Sequence, residues 1–246
     1  MVVAHTGHGD HLKIVMNFFK HTFYRAFARN RLEKSLRRAG KTRWLDIGAN
    51  RATDDFWTID LREGSGEKHY QCDILQLKQV DFDRLGRFDL VRMQHSFEHF
   101  SFEEGHMLLK RCGELLNQGG HLLITVPDLR HHIRMYLSGY YFDSKFRKFA
   151  RIRVPSDAPP SAYFSVHAHQ FGYAQDILVE RPGSAHKWCY DYPGLLHQVA
   201  RTEMFDRIRR LALWNPLAGI PFTHKKPEED VCLHARRRHT ADAIID

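Results

Sequence analysis

The stretch Arg43-Trp44-Leu45-Asp46-Ile47-Gly48-Ala49-Asn50 decides the fold. It is a short apolar run that closes on an acid and a glycine turn, the form of a buried strand that ends at a ligand crevice. Glycine at position 48 lets the backbone approach a ligand with no Cβ in the way. Further apolar runs follow at Phe56–Leu61, His69–Leu75, Phe88–Gln94 and His121–Val126, and a helical pattern fills Phe102–Leu116. Buried strands alternating with helices predict a mostly parallel sheet in a layered α/β domain. The rhythm returns late in the chain, with a helix over Tyr192–Thr202 and strands over Asp206–Leu213 and Val231–Arg237.

Outward from this core, the N-terminal side is basic. Residues 1–43 carry ten Lys/Arg against only Asp10 and Glu33, so they hold the whole net charge of +8 and leave the rest of the chain balanced. Leu12, Val15, Met16, Phe19, Phe23 and Phe27 recur at spacings of three and four, which predicts an amphipathic helix over 11–38. That helix either packs on the domain or offers a basic face to an anionic membrane surface or an acidic glycan carrier. On the other side, residues 130–190 lose all period and are rich in Tyr, Phe and His. An insertion of this length in an α/β domain reads as a lid or acceptor-binding cover. The boundaries expected are thus 1–42, 43–129, 130–190 and 191–246.

Composition narrows the function classes. With 246 residues, 43% hydrophobic and 27% charged, the chain has the balance of a soluble enzyme. No run is long enough to span a bilayer, and Lys13, Asn17 and Lys20 interrupt any signal-peptide pattern. Cys72, Cys112, Cys189 and Cys232 lie far apart with no CxxC pair, as expected of reduced thiols in a cytoplasmic protein. Eighteen histidines raise the question of a metal, through His167 and His169 with His131, His132 or His186. No H-x-x-x-H helix pair or carboxylate partner accompanies them, so no metal site is expected.

Polar residues gather where the predicted strands end, and ligands bind there in such sheets. Asp60 closes the second strand, placed to accept from ribose hydroxyls; Asp73 follows the third, near where an adenine amino group would donate. Gln94, His95 and Ser96 follow the fourth. His95 is the leading general base, since an imidazole of ordinary pKa suits removal of a hydroxyl proton; its alternative is a ring that bonds the backbone. Only twelve residues separate Gly48 from Asp60, and no G-x-G-x-x-G is present. A phosphate cradle with its helix does not fit there, which counts against a nicotinamide or flavin enzyme.

In order and spacing, Leu45–Asn50, Trp57–Asp60, Phe97-Glu98-His99-Phe100 and Leu116-Asn117-Gln118-Gly119-Gly120 resemble the motifs of class I S-adenosylmethionine-dependent methyltransferases. The last stands where that family has L-x-P-G-G, with Gln118 for the usual proline. The resemblance implies a seven-stranded, mostly parallel Rossmann-like methyltransferase sheet with an N-terminal helix and an inserted lid. It implies S-adenosyl-L-methionine as cofactor, held by Asp46, Gly48, Asn50, Asp60, Asp73 and Gln94. His95 and His169 would act on the acceptor, the latter from the lid with His167, Tyr163 and Tyr173. The short first connection, and His186-Lys187-Trp188-Cys189-Tyr190-Asp191, resemble a compact subset of surface-polysaccharide gene clusters. That points to O-methylation of a sugar hydroxyl or another small acceptor. Two alternatives stay open: a nucleic-acid methyltransferase that uses the basic helix as its footprint, and a non-catalytic binding protein on a methyltransferase scaffold.

Overall fold

The structure, a computed structural model, describes residues 43–49, 52, 56–139, 159, 161, 164, 186–211 and 229–239. The expected helix at 11–38, with the membrane and nucleic-acid contacts assigned to it, lies outside these residues, as does most of the insertion at 130–190.

Seven strands form one sheet: β1 (Trp44–Ile47), β2 (Phe56–Asp60), β3 (His69–Gln71), β4 (Phe88–Gln94), β5 (Leu116–Pro127), β6 (Phe205–Arg210) and β7 (Asp230–Arg237). Their order is β3-β2-β1-β4-β5-β7-β6. The first five pair in parallel, while β7 runs antiparallel to both β5 and β6. This is the mostly parallel seven-stranded sheet that the alternating pattern predicts. Every residue of β1 is buried, as a central parallel strand covered on both faces requires.

Four α-helices are described: α1 (Gln79–Leu85), α2 (Phe102–Leu115), α3 (Leu129–Leu137) and α4 (Tyr192–Ala200). Ser101 starts α2 with a capping box: its hydroxyl accepts from the Glu104 N–H, and the Glu104 carboxylate accepts from the Ser101 N–H at 2.8 Å. Leu108, Leu109, Cys112 and Leu115 then bury one face of α2 in the core with Phe97, Leu195 and Val199. Asp191 caps α4 by accepting from the Gly194 N–H at 2.9 Å, just ahead of Pro193.

Two strand boundaries differ most from expectation. β3 stops at Gln71, because Asp73 caps a 3-10 turn over Ile74–Gln76. β5 begins five residues early: Leu116 pairs with Phe88, and Asn117–Gly120 then bulge out before His121 pairs with Leu90. Gly119 takes a φ of +73° in that bulge, and its carbonyl accepts from the Arg236 guanidinium. Arg236 and Arg237, at the end of β7, thus tie the sheet to neighbouring loops; Arg237 donates to the Met204 carbonyl. In the insertion, α3 occupies the first residues. No helix among the described residues is long and apolar enough to cross a membrane.

Candidate functional site

The C-terminal ends of β1 to β4 enclose a crevice of about 270 Å³, walled by Gly48, Asp60, Arg62, Asp73, His95 and His99 among others. It opens where the strand order reverses beside β1, the place where α/β sheets take ligands.

Gly48 sets the width of the crevice. Its φ of +86° is left-handed, and its N–H donates to the Ile59 carbonyl at 2.8 Å. A Cβ here would stand 2.4 Å from the Ser96 Cβ, so the turn after β1 touches the loop after β4 at a distance only glycine permits. The Ser96 hydroxyl latches that loop by donating to the Ile47 carbonyl at 2.8 Å.

Asp60 lies at the tip of β2, 8% exposed. Its carboxylate accepts from the Arg62 backbone N–H at 2.9 Å and from the Arg62 guanidinium at 3.0 and 2.7 Å. Burial works to raise the pKa of Asp60; the hydrogen bonds and charge of Arg62 outweigh it, and the net shift is downward. Asp60, expected from sequence to meet a ribose, thus stands ionised on the crevice wall, and Arg62 is a partner that the sequence did not reveal. Asp73 is also on the wall, but its oxygens already accept from the Leu75 N–H and the Gln76 amide, each at 3.0 Å. Cys72 contributes a half-buried thiol pushed up to about 12, so it carries no nucleophilic thiolate at neutral pH.

His95 departs most from expectation. Its backbone is left-handed at φ 54°, a conformation that costs a non-glycine residue about 1–3 kcal/mol and clusters at functional sites. The ring explains why the conformation persists. Nε2 lies 3.1 Å from Asp230 and Nδ1 lies 3.5 Å from Glu98, both carboxylates being almost wholly buried. Burial works to lower the pKa of His95, but Asp230 and Glu98 together lift it to about 9. At neutral pH the ring is an imidazolium. It is not the ready base that an imidazole of ordinary pKa would be.

Two other expected ligands face elsewhere. Asp46 pairs with the Arg92 guanidinium, its neighbour in register across β4, and Arg92 also covers the Phe56 ring at 4.0 Å. A buried carboxylate on a central strand needs such a partner, and Asp46 is not among the residues that wall the crevice. Gln94 ends β4 in register with Thr125 and is likewise not on the wall. Asn50 and His169 lie outside the described residues.

Glu98 is 2% exposed, in the 3-10 turn Phe97–His99. Its backbone carbonyl accepts from the N–H groups of Lys187 and Trp188 at 2.9 and 3.2 Å. That joins the segment 186–190 to the loop after β4. A small neighbouring pocket lies there, between Glu98, His132, His186 and Trp188. Neither Asp230 beside His95 nor His186 beside Glu98 could be placed from sequence, since only the β5–β7 pairing and this backbone clasp bring them there.

A family model described as a methyltransferase domain matches residues 18–156, more than half of the chain. Over 76 residues the chain is 32% identical to a chemotaxis protein methyltransferase of Campylobacter jejuni subsp. jejuni (strain 81-176), a match covering 31% of this chain and 28% of that protein. The chain thus matches less than a third of the length of that relative. Among solved structures, the N-methyltransferase NodS from Bradyrhizobium japonicum WM9 is 12% identical with a TM-score of 0.41, covering 88% of this chain and 97% of that one. A SAM-dependent methyltransferase from Archaeoglobus fulgidus is 14% identical with a TM-score of 0.44, covering 90% and 99%.

Proposed function

The chain belongs to the methyltransferase-domain family, and from that premise we propose that it transfers a methyl group from S-adenosylmethionine to a hydroxyl of a saccharide or similar small acceptor. The observation that carries this reading is the crevice itself. A glycine-only approach of Gly48 to Ser96 leaves room for a ligand against bare backbone, beside a buried, ionised Asp60 at the next strand tip.

These residues fit a nucleoside that carries a sulfonium and no phosphate. Asp60, held by Arg62, presents acceptor oxygens for ribose hydroxyls. Asp73 stands one strand further out, beside the adenine position. On the crevice wall, the carboxylates of Asp60 and Asp73 lie where they can face a bound sulfonium. When bound, S-adenosylmethionine supplies an electrophilic methyl carbon open to in-line displacement. The chain contributes position: the Ser96 latch and the two-carboxylate clamp on His95 fix the loop after β4, where donor and acceptor meet. Held between Asp230 and Glu98, His95 orients groups in this loop.

A saccharide acceptor is supported by the neighbouring wall. Trp188, 43% exposed, lies beside the small pocket of Glu98, His132 and His186, an aromatic face next to hydrogen-bonding groups. The test is transfer of an isotopically labelled methyl group from S-adenosylmethionine to a panel of saccharides, with the product bond identified by NMR. An O-methyl sugar is the expected product. Label found only on nitrogen or carbon, or no transfer despite cofactor binding, would remove the hydroxyl reading.

A further inference from the structure

We propose that Glu98, His99 and His186 form a binding site for a divalent transition-metal ion of the zinc kind. One ligand atom from each lies within 4.8 Å of the other two, and Glu98 Oε1 lies 3.9 Å from His186 Nε2. A carboxylate with two imidazoles is a ligand set for such ions. Three protein ligands leave a further position for water or an acceptor oxygen.

The case rests first on Glu98. Its side chain is 2% exposed, and neither carboxylate oxygen accepts a well-formed hydrogen bond. Burial of a carboxylate costs several kcal/mol unless charge or hydrogen bonds offset it. His95 gives its closer contact, 3.1 Å, to Asp230 and reaches Glu98 only at 3.5 Å. The ligand atoms of His99 and His186 lie within 4.8 Å of the Glu98 carboxylate.

The second observation is that the ligand-bearing segments are already fixed to one another. The Lys187 and Trp188 N–H groups donate to the Glu98 carbonyl, and the His99 N–H donates to the Ser96 carbonyl at 3.2 Å. The rings of His99 and His186 meet edge to face, 4.9 Å between centroids. His99 also walls the main crevice, and Glu98 and His186 line the small pocket. The ion would therefore sit between the proposed cofactor and acceptor positions. Only that placement depends on the methyltransferase reading; the metal site itself does not.

Full-length protein stripped with chelator and titrated with Zn²⁺ alone tests the site, with Co²⁺ absorption as a second readout of its ligands. One equivalent should bind, and Glu98→Gln and His186→Ala should each weaken binding at least about tenfold and alter the Co²⁺ spectrum. His131→Ala should leave both unchanged. Circular dichroism confirms that each variant is folded, and if Glu98→Gln is not, His186→Ala decides the matter. Absence of a one-equivalent site, or binding that all three variants leave unaltered, would overturn the proposal and assign zinc to adventitious histidines. Since no S-adenosylmethionine is present, either result stands apart from whether the crevice binds cofactor.

Discussion

Replacing Gly48 with alanine probes the contact on which the crevice depends. Two costs add in the folded state. A non-glycine residue in the left-handed region, here at φ +86°, costs about 1–2 kcal/mol. The new methyl would also stand 2.4 Å from the Ser96 Cβ, and neither atom can rotate away because both are fixed by backbone. Over-packing of this kind costs about 1–3 kcal/mol. If the loop after β4 recedes instead, the 2.8 Å bond from Ser96 to the Ile47 carbonyl is strained or lost. Gly48→Ala should therefore lower unfolding free energy by about 2–5 kcal/mol in urea denaturation. Affinity for S-adenosylhomocysteine, measured by calorimetry, should fall at least about tenfold, since the displaced loop carries His95 and Ser96 on the crevice wall. Adding Ser96→Gly removes the opposing Cβ and should recover the over-packing share of the loss but not the backbone share. The reasoning fails if Gly48→Ala keeps its stability within about 0.5 kcal/mol and binds ligand as the parent does.

Arg62→Ala removes the group that holds Asp60 ionised, leaving burial to push its pKa upward. Calorimetry across acid pH should show S-adenosylhomocysteine affinity failing at a higher pH in the variant, and superimposed profiles would contradict the pairing. His95 carries a linkage of the opposite sign. Its folded pKa is raised from 6.5 to about 9, so its contribution to stability is fully present below pH 6.5 and is lost as pH rises through about 9. The shift corresponds to about 3 kcal/mol. In chelator-treated protein, denaturation at the two ends of that range should show the loss in the parent and not in His95→Gln, and equal slopes would refute the carboxylate clamp.

The fold was legible because its signals are local. Trp44–Ile47 is wholly apolar but for Asp46, and Phe88–Gln94 reads as a strand with the bounds observed. The acid at the end of β2 could be placed from the sheet architecture alone. What stayed hidden depends on register and long-range pairing. Asp46 and Arg92 meet because β1 and β4 align them, and no spacing rule links the two. The pKa of His95 is raised by Asp230, 135 residues away on β7, together with Glu98, and no local pattern links the histidine to the first of these. Gln118 looked like a loss from a proline-bearing turn, yet Asn117–Gly120 form a bulge within β5 that glycine at 119 allows. Arg62 was passed over because a charged residue in a loop has no period to mark it.

A crystal structure of the full chain with S-adenosylhomocysteine tests the central claim most directly. The account predicts ribose oxygens within hydrogen-bond distance of Asp60, adenine beside Asp73, and the amino-acid portion running past Gly48 toward His95. Ligand bound at another surface, or a crevice closed by Arg62 with Asp60 turned from the nucleoside, would contradict it.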